Sequence, residues 1–306
     1  MSIGHDHSHP HHGPEHHATS GRAFALAVAL NLGFTLVEIA AGLISGSMAL
    51  IADAGHNLSD VLALLLAWGA NTLAMRPPSD RFTYGLKSSS ILAAIANAAL
   101  IWLALGAILV ETIRRLADPA PVEGTLMIAV AAVGIFINGF SAWLFARGRK
   151  HDLNVRAAFL HLAADAAVSA GVVIAGLAVV LTGIALIDPL TSLAICLVIG
   201  WSSWGLLRDA LRLGLLAAPE RIDVREVRAY LASLNGVSAV HDLHVWPMST
   251  TETALTAHLV MPDGGSDHFL HELAHALHER FGIDHPTVQI ERDSGPECAL
   301  ESELVV

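Results

Sequence analysis

The chain has 306 residues, of which 54% are hydrophobic and only 15% charged, against about 25% charged in an ordinary soluble domain. A formal net charge of -11 leaves no basic surface for nucleic acid, so none is expected as a partner. With only two cysteines, Cys196 in an apolar block and Cys298 near the end, neither a disulfide framework nor a Cys-based zinc site is expected.

Residues 1–20 carry seven histidines among Gly, Pro and Ser. This composition predicts a disordered, low-complexity tail, either a loose metal binder or a plain leader. The polar start lacks the charged-then-apolar pattern of a signal peptide, so none is expected. Six apolar segments follow, at residues 23–44, 48–73, 90–113, 124–145, 155–182 and 188–211. Each is long enough for a bilayer core, which takes about 20 residues. They predict an all-α, six-helix transmembrane bundle occupying residues 21–215. Small residues such as Gly42, Ser45 and Gly46 permit close helix packing. The links that would face the cytoplasm hold Arg76, Arg81, Lys87, Arg147, Arg149, Lys150 and Arg156, with Arg208 and Arg212 after the last helix. The opposite side has only Arg114 and Arg115, so both termini are expected inside.

The composition changes after Ala218. Residues 222–234 read as an amphipathic helix, 237–246 and 253–261 as strands, 266–281 as a second helix and 287–292 as a last strand. An αββαβ order predicts a small α+β, ferredoxin-like cytoplasmic domain over residues 216–293, with a flexible tail at 294–306.

Ionisable groups at membrane depth are costly and usually face a cavity. His56 and Asp60 in the second segment, and His161 and Asp165 in the fifth, repeat one pattern, His-x-x-x-Asp. Residues four apart lie on one helical face. Two such helices facing each other would offer two imidazole nitrogens and two carboxylate oxygens, a tetrahedral set suited to zinc. Helix–helix hydrogen bonding is the plainer alternative. Glu38 either lines the same path or packs, Asp53 either serves the site or lies near a helix end in water, and packing is the expectation for Asn31 and Asn138.

The run GLISGSMALIADAGHNLSD at residues 42–60, with HLAAD at 161–165, resembles the signature of the cation diffusion facilitator family. The resemblance spans about residues 20–293 and implies a zinc-preferring homodimer that exports divalent ions by proton antiport. It places the transport site on His56, Asp60, His161 and Asp165. It also implies a regulatory metal site in the cytoplasmic domain at His241, His258 and Glu291, with Asp293 nearby. His241 and His258 can approach across neighbouring strands, although hydrogen-bonded strand histidines are an alternative there.

One motif points elsewhere. His271-Glu-Leu-Ala-His275 fits the His-Glu-x-x-His pattern of zinc proteases. It lies on a short amphipathic helix of a small domain, where an exposed histidine stripe is the expectation. The expected function is therefore zinc efflux by proton antiport and not an enzymatic one, in a multi-pass protein of a bacterial inner membrane. Zinc is the transported substrate and is also expected in the cytoplasmic domain. Partners are zinc ions, protons, lipid and a second copy of the chain. A membrane-anchored metal sensor without transport is the alternative.

Overall fold

A computed structural model describes residues 32–146, 153–292, 298 and 300. The His-rich stretch 1–20, the start of the first apolar segment and most of the tail from 293 lie outside the described residues. Six apolar helices appear in order: α1 (Leu32–Ser45), α2 (Met48–Ala74), α3 (Ser89–Ala117), α4 (Gly124–Phe145), α5 (Leu153–Thr182) and α6 (Ile187–Gly214). Five of them, α2 to α6, are long and apolar enough to cross a membrane; only residues from Leu32 onward are described for α1. Large apolar side chains stand exposed along them, including Phe136, Leu181 and Trp201. Such a surface is tolerated facing lipid and not facing water. The protein is an integral, multi-pass membrane protein.

The residues form two compact units. The first holds those up to Val61 together with Ala104–Ile199, and the second holds Leu62–Leu103 and everything from Gly200 onward. Helices α2, α3 and α6 therefore run through both.

In the first unit, α1 ends where Gly46 adopts a left-handed conformation (φ 69°), which a side chain would resist. The Ser47 N–H then donates back to the Gly42 carbonyl (3.0 Å), closing the helix end in a Schellman arrangement. The same Ser47 opens α2, its Oγ accepting the Leu50 N–H at 3.1 Å. Asp188, fully buried in the first turn of α6, completes that cap. Its carboxylate accepts from Ser47 Oγ (2.6 Å), Met48 N (2.7 Å) and Ala49 N (3.2 Å). A negative charge at a helix N-terminus is also favoured by the helix dipole. Elsewhere α4 and α5 come into near backbone contact, since a Cβ placed on Gly124 would lie 2.9 Å from the Gly176 carbonyl.

In the second unit, α7 (Val224–Ala232), β1 (Ala239–Pro247), β2 (Thr253–Val260), α8 (Asp267–Phe281) and β3 (His285–Glu291) give the expected αββαβ order. The sheet order is β1-β2-β3, with β2 antiparallel to β1 and parallel to β3. Asp223 and Ser266 cap the two helices by accepting the N–H groups of Arg225 and Phe269. Val227 and Leu231 of α7, with Leu273 and Leu277 of α8, bury against Leu243, Leu255 and Leu259 of the sheet. The opposite face of the sheet carries polar residues. The β1–β2 turn meets the start of α3 in this unit: Lys87 pairs with Glu252, and the Thr250 N–H donates to Ser90 Oγ at 3.1 Å.

Candidate metal centre

The first constellation lies wholly in the first unit. His56 and Asp60 project from one face of α2, and His161 and Asp165 from one face of α5. The two pairs oppose each other crosswise. His56 Nε2 is 3.4 Å from Asp165 Oδ1, and His161 Nε2 is 3.3 Å from Asp60 Oδ2. Within each helix the His–Asp separations are 3.8 Å and 3.6 Å. The two imidazole rings meet edge to face, with centroids 6.1 Å apart. One ligand atom from each of the four residues falls within 4.8 Å of all the others.

These distances bear on what the group can do. A tetrahedral ion with ligands at about 2.0 Å has ligand–ligand edges of roughly 3.3 Å. The four separations are near that value, and longer than the 2.7–3.2 Å or so of a well-made N–H···O hydrogen bond. Asp165 is buried, whereas His161 is half exposed. Two carboxylates match the charge of a divalent ion, which offsets much of the cost of holding it away from water.

A second ring of polar residues surrounds this one. Asp53, one turn before His56, accepts from Ser169 Oγ at 2.9 Å, and Ser169 lies one turn beyond Asp165. Glu38 of α1 accepts from Asn57 Nδ2 at 3.0 Å. Both carboxyl groups are fully buried. Sequence reading left Glu38 open between lining and packing and Asp53 between a functional place and a helix end in water, which its full burial within α2 contradicts, and gave Asn57 and Ser169 no role. Asn138 is buried in α4 with its amide nitrogen unpaired among the described residues, and Asn31 lies outside them.

The second constellation is on the polar face of the three-stranded sheet. His241 pairs with His258 across β1 and β2, and the β3 residue Glu291 stands beside them. His241 Nε2 lies 3.0 Å from Glu291 Oε2, and His258 Nδ1 lies 2.9 Å from Glu291 Oε1. The local backbone explains how His241 reaches this face. Asp242 and Leu243 stand opposite the single residue Ala257, so β1 carries a bulge, with Asp242 at φ 49°. The extra residue reverses the alternation, which places His241 and His244 on the same side as His258 while Leu243 and Val245 keep the core. Asp242 then bridges His244 Nε2 (2.8 Å) and His258 Nε2 (3.5 Å).

Asp293, the fourth residue expected there, lies outside the described residues. Cys298 stands with the other three instead, its Sγ 3.6 Å from His258 Nδ1. Ligand atoms of His241, His258, Glu291 and Cys298 all fall within 4.8 Å of one another. Burial raises the Glu291 carboxyl, but hydrogen bonds from Cys298, His241 and Gln289 outweigh it and hold the group below the usual carboxylate range. The Leu300 backbone favours the Cys298 thiolate, yet desolvation and the facing carboxylates of Glu291 and Asp242 win and push the thiol up. A bound cation would reverse that balance, because a coordinating thiol is deprotonated outright. The sequence offered no signal for Cys298, which follows the last strand. By contrast, His271 and His275 are exposed on α8, and among the described residues no third ligand converges on them.

Comparison with known proteins agrees with this architecture. The family model for the cation efflux transmembrane domain matches residues 24–213, and that for the cation efflux protein cytoplasmic domain, a dimerisation module, matches residues 219–293. The zinc transporter ZitB of Escherichia coli (strain K12) is 38% identical over 304 residues, covering 97% of this chain and 96% of its own. The cadmium, cobalt and zinc/H(+)-K(+) antiporter of Bacillus subtilis (strain 168) is 32% identical over 268 residues, 86% of either chain. The metal cation efflux system protein CzcD of Cupriavidus metallidurans is 34% identical over 293 residues, 95% of this chain and 90% of its own. The chain belongs to the cation efflux family of membrane transporters, the family its signature resembled.

Proposed function

We propose that this chain exports zinc, or a closely similar divalent transition ion, in exchange for protons, holding the ion between α2 and α5 on His56, Asp60, His161 and Asp165. The observation that carries the reading is the crosswise quartet itself, two imidazoles and two carboxylates at 3.3–3.8 Å from two apolar helices. Nitrogen and oxygen donors in a four-fold set favour zinc, and the absence of sulfur disfavours softer ions. The names of the relatives support the same cargo.

Proton exchange follows from the ligands. An imidazole ligates only when neutral, and a free imidazole titrates near about pH 6.5. Ion binding on the cytoplasmic side therefore releases protons, and ion release on the more acidic side lets the histidines take them up again. Alternating access requires two states that differ in which side wets the quartet, with α2 and α5 moving against their neighbours. The excess of Lys and Arg on one set of links supports cytoplasmic termini. The match to the cytoplasmic dimerisation domain supports a homodimer.

The cytoplasmic quartet His241, His258, Glu291 and Cys298 supports a second zinc there as a regulatory ligand, in the place expected for a site with Asp293. Metal sensing without transport is the second reading, because that quartet alone would serve a sensor. Zinc uptake into proteoliposomes by a folded His161→Ala protein separates the two. Loss of uptake is the expected result, and full uptake would overturn the assignment of the membrane quartet.

A further inference from the structure

Two carboxyl groups beside the membrane quartet have an incomplete set of partners. Glu38 and Asp53 are both 0% exposed. Each has one oxygen served by a neutral donor, Asn57 Nδ2 to Glu38 and Ser169 Oγ to Asp53. Among the described residues no N–H or O–H group reaches the other oxygen of either, Glu38 Oε1 or Asp53 Oδ1. The two carboxyl groups lie within hydrogen-bonding reach of one another. The ionisable groups facing them are His56 on α2 and Asp165 on α5. Among the described residues no cation is paired with them, and α4 approaches Ser169 at Gly134, which offers no side chain.

Two dehydrated carboxylates side by side cannot both stay ionised; such a pair keeps one proton between its oxygens. One shared proton also supplies the donor that both orphaned oxygens need. We infer that Glu38 and Asp53 form a proton-carrying pair coupled to the metal quartet, contributing a counter-proton in addition to those of the ligands.

The inference rests on the quartet being the ion site. In the ion-free state the pair holds one proton and a single negative charge. When a divalent cation binds one helical turn away along α2, its field favours the fully ionised pair. The proton then leaves to water and the pair carries two negative charges. Departure of the cation on the far side reverses the step, and a proton from that side is taken up. Asn57 and Ser169 keep their bonds throughout, so the exchange needs no rearrangement of the helices. Asn57 follows His56 and Ser169 lies one turn beyond Asp165, so both donors sit on the helices that carry the ligands.

The test is to count protons released per zinc ion bound by the full-length protein in detergent. The chain would carry His241→Ala and His258→Ala, so that the cytoplasmic quartet does not contribute. Glu38→Gln, which mimics a permanently protonated group, is expected to bind zinc in the same ratio while releasing one proton fewer. An equal proton count with zinc bound normally would overturn the inference and leave the ion site standing. Zinc binding that survives Asp60→Ala with Asp165→Ala would overturn the ion site instead. A measurement on the parent chain covers the case in which Glu38→Gln does not fold. Zinc-induced infrared difference spectra should show loss of the carbonyl stretch of a protonated, dehydrated carboxylic acid, and no such loss would equally overturn the pair.

Discussion

Replacing Asp188 by Ala should destabilise the helix that carries half of the proposed metal quartet, although Asp188 is not one of its residues. Its carboxylate is fully buried and accepts three hydrogen bonds at the start of α2, from Ser47 Oγ, Met48 N and Ala49 N. The two backbone N–H groups belong to the first turn and have no intrahelical acceptor. Each buried donor left unpaired costs about 1–3 kcal/mol, so truncation should cost roughly 2–6 kcal/mol. Ser47 can keep its own cap on Leu50 N, which limits the loss to the lower part of that range. For a chain of this size each kcal/mol lowers the melting midpoint by about 2–4 °C, so a fall of at least roughly 4 °C is expected. Thermal unfolding of the purified protein in detergent reads this directly. Asp188→Asn, which keeps one acceptor and turns the other into a donor, should fall between. A midpoint within about 1 °C of the parent for Asp188→Ala would refute the capping argument.

Three further outcomes follow from the geometry. Gly176→Val should push α4 from α5, because a Cβ there already comes 2.8 Å from Ile128 Cγ1, at a cost of about 1–3 kcal/mol in thermal unfolding; Gly139→Ala, with nothing within 4 Å, should be near neutral. Cys298→Ser should remove the thiolate-to-cobalt absorption of the Co2+-loaded protein. It should also weaken metal binding at the β-sheet cluster by more than about tenfold, since losing a direct ligand exceeds the effect of an outer partner; an unchanged spectrum would exclude Cys298 as a ligand. Glu272→Ala should leave zinc uptake unchanged, and uptake lost in a folded variant would give the exposed α8 stripe a role the geometry does not.

The parts that were legible from sequence are those written in short-range patterns. Helix length and apolarity placed the membrane segments, and the alternation of Val, Leu and His in β1 placed the strand to within a few residues. The repeated His-x-x-x-Asp spacing was enough to select the four residues that converge across α2 and α5. What was hidden depends on contacts between distant positions. Asp188 meets Ser47 across 141 residues, and no local pattern marks it as a cap. Glu38 reaches Asn57 only once α1 lies along α2. The bulge at Asp242 decides that His241 leaves the core face, and a plain alternation would have pointed it inward. Cys298 joins its cluster from beyond β3, where sequence gave only a tail.

The most direct test of the account is zinc-driven proton movement in proteoliposomes, comparing the parent chain with Asp165→Ala. The account predicts proton movement that depends on zinc and vanishes in the variant. Proton movement retained in Asp165→Ala, or none in a well-folded parent chain, would contradict it.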